Sequence, residues 1–170
     1  MRHVLLLCLA FAQSALAADD ATKQQVLGLL SGYEETASPD SLKAIDGNVP
    51  GTLRSIASDT TLSATQRARA IHALGWFPDD ETRAFLVAHA HGNNPMFARK
   101  AIYALANGWG DQAIDELTVA LANPDVQTRM AAANALGHVG TPSAKLALEA
   151  RLAYETDPTV RTTIEKQMGK

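Results

Sequence analysis

The 170-residue sequence predicts an all-α fold in which pairs of antiparallel helices stack as an α-solenoid. Three observations predict it: a regular internal repeat, apolar side chains spaced three and four residues apart within each copy, and regular turn and cap signals between the apolar stretches. The repeat is about 30 residues long, a length typical of solenoids, because each copy buries its apolar face only against its neighbours. The chain has room for about four or five two-helix units.

The repeat is visible when the sequence is aligned with a copy of itself shifted by the number of residues between Leu74 and Leu105. This shift aligns three copies without gaps. The aligned apolar sets are Ile71, Ile102 and Ala133; Leu74, Leu105 and Leu136; and Leu86, Leu117 and Leu148. Within one copy, steps of three and four residues place these side chains on one side of a helix. Each copy therefore contains two helices.

Glycine-rich segments at 75–78, 107–110 and 137–140 separate the two helices of each copy. Glycine ends helices because it adopts positive φ without strain. Helix starts are predicted at four steps that pair a capping side chain with proline: Asn94-Pro95, Asn123-Pro124, Thr141-Pro142 and Asp157-Pro158. Asp111 and the pair Asp79-Asp80 are the predicted caps of second helices.

The last helix begins at Pro158 and can be aligned in two ways, either in the register of the other copies or after an insertion of one residue. Both registers place apolar side chains at the repeat positions. The spacing leaves the two alternatives open.

Residues 1–17 predict a cleaved signal peptide. Arg2 precedes an apolar run at 4–12, and residues 15–17 have the small-x-small pattern of a cleavage site. The run is too short to span a membrane permanently, and no run of about 20 apolar residues follows it. We therefore expect a periplasmic or secreted protein with no membrane insertion after cleavage. Lipid attachment at Cys8 is the less favoured alternative, because this cysteine lies inside the run.

Residues 18–62 are predicted to hold N-terminal helices and a degenerate first repeat, and residues 63–170 the repeat solenoid. Within the first segment we expect a frayed terminus at 18–23 and helices at 24–33, 41–45 and 49–58.

Charge and cysteine usage exclude several functional classes. The formal net charge is −3 and becomes −4 after loss of Arg2. Nucleic acids and anionic membranes bind clustered Lys and Arg, which this chain lacks, so neither is expected as a partner. Cys8 is the only cysteine, so the mature chain has no disulfide and no thiolate ligand. No cofactor is predicted.

The stretch 123–140, NPDVQTRMAAANALGHVG, resembles the consensus of short HEAT repeats of the phycobilin-lyase-like kind. The resemblance extends over about 63–168. It implies a right-handed α-solenoid, the armadillo-like superhelix, with first helices outside and second helices inside, and it implies no catalytic residue. Members named for lyase activity attach chromophores inside photosynthetic cells, which an export signal does not favour here. Other members are scaffolds, adaptors and regulatory subunits.

Two clusters of titratable residues suggest chemistry and have simpler interpretations. His89 and His91, with His72, suggest a metal site, but side chains two residues apart on a helix point to opposite sides. We therefore predict no metal site. Residues 79–81, all acidic, suggest acid/base catalysis, but their position at a helix start is explained by capping and the helix dipole.

Arginines recur near the start of each first helix, at Arg67, Arg99, Arg129 and Arg161. The resemblance to HEAT repeats implies that they hold neighbouring helix ends together. We interpret them as structural.

The predicted binding site is the turn edge, which we define as Trp76, Phe77, Trp109 and His138. These residues fall in successive turns between paired helices, so stacking should bring them to one edge. The alternative is that the rings only cover helix ends. The inner face, with second-helix positions such as Arg83, Asp115 and Glu149, is a second candidate surface of mixed charge.

These observations favour an exported, non-catalytic scaffold or adaptor that binds a protein or peptide. Two alternatives are kept: an enzyme or enzyme subunit of a lyase-like kind, and a small-ligand carrier that uses the aromatic edge. Oligomeric state and partner identity are not determined by the sequence.

Overall fold

The computed structural model of the protein describes residues 19–32 and 37–169. The chain folds into two compact units, the first ending at Ala70 and the second beginning at Ile71. Every regular element in the described ranges is helical, and they contain no strand, so the all-α prediction is confirmed. The predicted signal peptide lies outside these ranges, and the predicted domain limits stay predictions.

The first unit contains α1 (helical at 19–31), α2 (Pro39–Lys43), α3 (Val49–Ser58) and most of α4 (Ala64–Ala73). The predicted helix at 49–58 is confirmed. The short helix begins earlier than predicted because Ser38 and Ser41 cap it reciprocally. The frayed terminus was a wrong prediction for 19–23, since Thr22 is buried and its hydroxyl donates to the Asp46 carbonyl at 3.0 Å.

The second unit begins within α4 and continues with six helices and two 3₁₀ turns, Leu74–Trp76 and Gly110–Ala113. The helices are α5 (Asp80–Ala90), α6 (Pro95–Trp109), α7 (Ile114–Ala120), α8 (Val126–Val139), α9 (Pro142–Leu152) and α10 (Pro158–Gln167). Across the described ranges of both units, no helix has the length and apolar character needed to cross a membrane.

Successive helices of the second unit form two packed layers. The first helices α6, α8 and α10 pack side by side, and the second helices α5, α7 and α9 pack beside them. The apolar positions aligned by the repeat all face the space between the helices, and they are fully buried. Each large aliphatic side chain buried in this way stabilises the fold by roughly 1.5–3 kcal/mol. The predicted helix-pair repeat is therefore confirmed.

The predicted caps are confirmed at three of the four proline steps. Asn94, Thr141 and Asp157 accept hydrogen bonds from backbone N–H groups of the first turns of α6, α9 and α10. The prediction at Asn123 was wrong. Asn123 Oδ1 accepts from the Asp125 backbone N–H at 2.9 Å inside the turn, and Asp125 itself caps α8.

Asp111 was also wrongly predicted as a cap. The 3₁₀ turn Gly110–Ala113 precedes α7, so this helix begins at Ile114 without a side-chain cap. The Asp111 carboxylate instead accepts a hydrogen bond from the Thr141 hydroxyl, and it thereby joins the starts of two successive second helices.

The register of α10 is settled by its cap and its arginine. The caps of α6, α8 and α10 are Asn94, Asp125 and Asp157. The interval from Asp125 to Asp157 along the sequence is one residue longer than the interval from Asn94 to Asp125. Arg161 donates to the Glu155 carbonyl six residues before it, and Arg129 donates to the Asn123 carbonyl six residues before it. The alignment with a one-residue insertion is therefore the correct one.

Candidate functional site

The turn edge lies at the C-terminal ends of the first helices. Trp76 ends the 3₁₀ turn after α4, and Phe77 follows it. Trp109 is the last residue of α6, and His138 is the second-to-last residue of α8. His138 is exposed and the three aromatic rings are half-buried. The rings therefore cover helix ends and also reach the surface, and binding at this edge stays a prediction.

The turns that carry the two tryptophans are held together by backbone contact. A Cβ placed on Gly75 would lie 2.7 Å from the Ala104 carbonyl oxygen, and one on Gly108 would lie 2.9 Å from the Gly75 oxygen. Both distances are too short for any residue other than glycine. Because Trp76 follows Gly75 and Trp109 follows Gly108 in the chain, this contact sets the two tryptophan turns side by side.

His72 lies next to the turn edge, one helical turn before Trp76. The two rings meet edge to face, with centroids 5.8 Å apart and planes at 75°. His72 Nδ1 is buried and has no hydrogen-bond partner within the described part of the chain. Burial lowers the pKa of His72 from its usual 6.5, and the positive charge of Lys100 on α6 lowers it further. The imidazole is therefore neutral at pH 7, which a general base requires.

From the sequence, His72 is only a potential metal ligand, and Lys100 does not stand out. The two residues lie on different helices and are far apart in the chain, so their proximity depends on how α6 packs. No pattern in the sequence links them.

The acidic residues before and in α5 have the capping role that the sequence indicated. Asp79 Oδ1 accepts from the Thr82 backbone N–H at 2.7 Å, and Asp79 Oδ2 accepts from the Thr82 hydroxyl at 3.0 Å. Asp80 and Glu81 are exposed in the first turn, where carboxylates interact favourably with the helix dipole.

His89 and His91, the other two candidate metal ligands, lie in separate environments. The His89 ring packs edge to face with Phe85 at 4.5 Å and Phe97 at 6.1 Å between centroids. His91 is exposed, with Nε2 3.4 Å from the Glu116 carbonyl oxygen. Within residues 19–32 and 37–169, no group of three His, Cys, Asp or Glu side chains could hold a metal ion.

The recurring arginines bond helix ends, as the resemblance implied. Arg129 donates to the carbonyls of Asn123 and Pro124 before α8, and Arg161 donates to the Leu152 carbonyl at the end of α9. Arg129 also pairs with the buried carboxylate of Glu155. Burial raises the pKa of Glu155, but hydrogen bonds from Arg129 and from the backbone N–H of Asp157 outweigh this and lower it to about 2.

The second helices present a mixed surface. Arg83 on α5 pairs with Glu116 on α7 at 2.8 Å, which joins neighbouring repeats. Exposed apolar residues lie further along the chain: Val119 on α7 is 57% accessible, Leu146 on α9 is 65% accessible, and Tyr154, just after α9, is 81% accessible. This face therefore combines an ion pair between neighbouring repeats with exposed apolar residues.

The fold has a counterpart among solved structures. The chain resembles human deoxyhypusine hydroxylase, solved in complex with glycerol, with a TM-score of 0.60 and 26% identity. The match covers 73% of this chain and 43% of that enzyme, so the chain spans less than half of the enzyme's length. A comparison with curated protein sequences finds no match.

This similarity to an enzyme contradicts two predictions, the non-catalytic scaffold and the absence of enzymatic function. They were wrong because the repeat motif encodes helix packing, which catalytic and non-catalytic proteins share. The enzyme alternative is better supported.

A model of HEAT repeats matches residues 84–169, just over half of the chain. This match agrees with the layered helix pairs of the second unit and confirms the predicted α-solenoid of HEAT repeats. The chain belongs to the HEAT-repeat family.

Proposed function

We propose that this chain is an enzyme, or an enzyme subunit, that hydroxylates a side chain of a protein. The observation that carries the proposal is the similarity to deoxyhypusine hydroxylase over 73% of the chain. The name of that enzyme supplies the reaction type, hydroxylation, and a first substrate to test, deoxyhypusine. Identity of 26% over less than half of the enzyme leaves the exact substrate of this chain to experiment.

His72 is the side chain best suited to acid/base work at such a site. It is half-buried, its pKa is lowered by burial and by Lys100, and its ring lies against Trp76. Titratable groups whose pKa is shifted by burial together with a nearby charge are found more often at functional sites. We assign His72 the role of the general acid or base that gives or takes a proton in the reaction. We assign Trp76 the contact with the apolar part of the substrate side chain.

Oxygen insertion by proteins uses a metal or an organic cofactor. Among the described residues, no group of three His, Cys, Asp or Glu side chains could hold a metal ion. We therefore assign no step to a metal, and the assay supplies metal ions as a variable.

The decisive experiment combines the purified mature chain with a protein substrate bearing deoxyhypusine, in the presence of oxygen, a reductant and a series of divalent metal ions. Mass spectrometry should detect the gain of one oxygen atom on the substrate. His72→Asn should reduce the rate by about 100-fold or more, the usual contribution of acid/base catalysis.

His91→Asn is the matched control, because His91 is an exposed histidine that lies outside the turn edge. It should retain the parent rate. No oxygen gain with any metal ion would contradict the proposal that deoxyhypusine is the substrate. Equal rates for the two variants would contradict the role of His72.

We further infer that the enzyme acts outside the cytoplasm, in the periplasm or the medium, on a protein partner there. The support is the sequence of residues 1–17, which has the charge, apolar run and cleavage pattern of a signal peptide. Fractionation of cells expressing the full chain and a chain lacking residues 1–17 tests it. Cytoplasmic retention of both would contradict export.

A further inference from the structure

An open groove runs between α8 and α10, on the side of the second unit that carries the first helices. Its volume is about 540 Å³, and Met130 and Asn134 of α8 form one wall. Pro158 and a stripe of α10 side chains form the other wall. A volume of this size accommodates a small molecule, which would remain partly in solvent because the groove is open.

The α10 wall is a continuous polar stripe. Its members are Thr159, Thr162, Thr163 and Lys166. Steps of three and four residues set them on one face of the helix. α10 therefore turns three hydroxyls and one ammonium group toward the groove.

The hydrogen bonds of the walls determine which groups a ligand can use. Gln167 Nε2 donates to Asn134 Oδ1 at 2.7 Å, which leaves the Asn134 Nδ2 amino group to donate into the groove. Thr162 and Thr163 donate their hydroxyl hydrogens to the Pro158 and Thr159 carbonyls at 2.9 and 2.8 Å. Their oxygens are therefore left as acceptors.

The charge of the groove is positive. Among the described residues that line it, Lys166 carries the only charge, and none is Asp or Glu. Beside this ammonium group and the Asn134 amino group lie the thioether side chain of Met130 and the ring of Pro158, which supply apolar surface. The combination matches a ligand with one carboxylate and a small apolar body.

We propose that the α8–α10 groove is a binding site for small organic carboxylates. The ligand carboxylate accepts from Lys166 Nζ and Asn134 Nδ2, and its apolar body lies on Met130 and Pro158. Ligand hydroxyl groups, where present, donate to the threonine oxygens. This site goes beyond the proposed hydroxylation and does not depend on it, because it uses none of the residues at His72.

The test is a titration of the full mature chain with benzoate, followed by isothermal calorimetry and by NMR of backbone amides and the Asn134 side-chain amide. We expect saturable binding with shifts concentrated in α8 and α10. Neutral benzamide, which has nearly the same shape, should bind more weakly. Lys166→Gln should weaken benzoate binding by about threefold to fivefold, the usual strength of an exposed ion pair.

Lys145→Gln is the matched control, because Lys145 is an exposed lysine of α9 outside the groove. It removes the same charge and should leave benzoate binding unchanged. Equal weakening by both lysine substitutions would overturn the site, because it would show a general charge effect. Absence of saturable binding, or equal binding of benzoate and inorganic phosphate, would overturn the assignment to carboxylates with an apolar body.

Discussion

Arg129 on α8 and Glu155 after α9 form a buried ion pair, with 2.9 Å between Arg129 Nε and Glu155 Oε2. Arg151 at the end of α9 contacts the same carboxylate oxygen at 2.6 Å. The backbone N–H groups of Thr156 and Asp157 donate to the other oxygen. One carboxylate thus connects α8, α9 and the loop that leads to α10, and both of its oxygens accept several hydrogen bonds.

Replacing Glu155 with Gln should destabilise the second unit strongly, because two guanidinium groups would lose their charged partner in a buried site. Breaking such a pair costs about 3–5 kcal/mol. Urea unfolding followed by circular dichroism measures this change. Glu149→Gln, on the exposed face of α9, is the control and should change the free energy of unfolding by less than about 0.5 kcal/mol.

The same pair predicts an acid-dependent loss of stability. The pKa of Glu155 is lowered from 4.5 to about 2 in the folded chain. Its contribution is therefore complete above pH 4.5 and is lost as the pH falls from 4.5 toward 2. Unfolding free energies measured across this window should fall less steeply for Glu155→Gln than for the parent. Parallel curves would show that Glu155 does not carry the effect.

His72 predicts a second pH dependence, in a higher window. Its pKa is lowered from 6.5 in the folded chain, so the unfolded chain binds the proton more tightly. The free energy of unfolding should have its full value above pH 6.5 and should decline as the pH falls below 6.5 toward the folded-state pKa. His72→Gln should remove this decline, as thermal melts at successive pH values would show. His138→Gln, at an exposed position, should keep it.

Gly75→Ala should loosen the contact between the turn after α4 and α6. The new Cβ would lie 2.8 Å from the Ala104 Cα, a backbone atom that cannot move aside without shifting the helix. Overpacking of this kind costs about 1–3 kcal/mol. Gly28→Ala in α1 is the control, because its Cβ meets nothing within 4 Å, and it should stabilise by about 0.5–1 kcal/mol. A stable Gly75→Ala variant would contradict the close approach.

Leu117→Asp should unfold the second unit or nearly so. Leu117 is fully buried between the helix layers, and an unpaired charge there costs several kcal/mol, comparable with the total stability of a domain. Val119→Asp on the same helix, where 57% of the residue is exposed, should be tolerated. Circular dichroism melts of the two variants measure the contrast, and similar melting temperatures would contradict the layer assignment.

The repeat made much of the fold predictable. The helix at 49–58, the caps at Asn94, Thr141 and Asp157, and the buried faces of the paired helices all follow from local signals. Such signals work because a helix buries one stripe and its ends need specific hydrogen-bond partners. The cap at Asn123 was mispredicted because Asp125, two residues later, competes for the same role and begins the helix instead.

The function was not predictable in the same way. The HEAT motif consists mainly of core positions and cap residues, so it reports how helices stack rather than what their surfaces do. The similarity to an enzyme came only with the three-dimensional fold. The sequence marked the turns that carry Trp76 and Trp109, but binding at the turn edge stays a prediction, and the neighbouring His72 was considered only as a weak metal candidate.

The amino-acid sequence was sufficient to define the helix pairs, the side chains that each helix buries and the turns that carry Trp76 and Trp109. Tertiary packing was needed to establish the register of α10, the pairing of Arg129 with Glu155 and the approach of Lys100 to His72. The physical reason is that spacing along a helix determines which residues share its face, whereas contacts between helices depend on how closely their backbones pack. Here that distance is set by small residues such as Gly75 against Ala104.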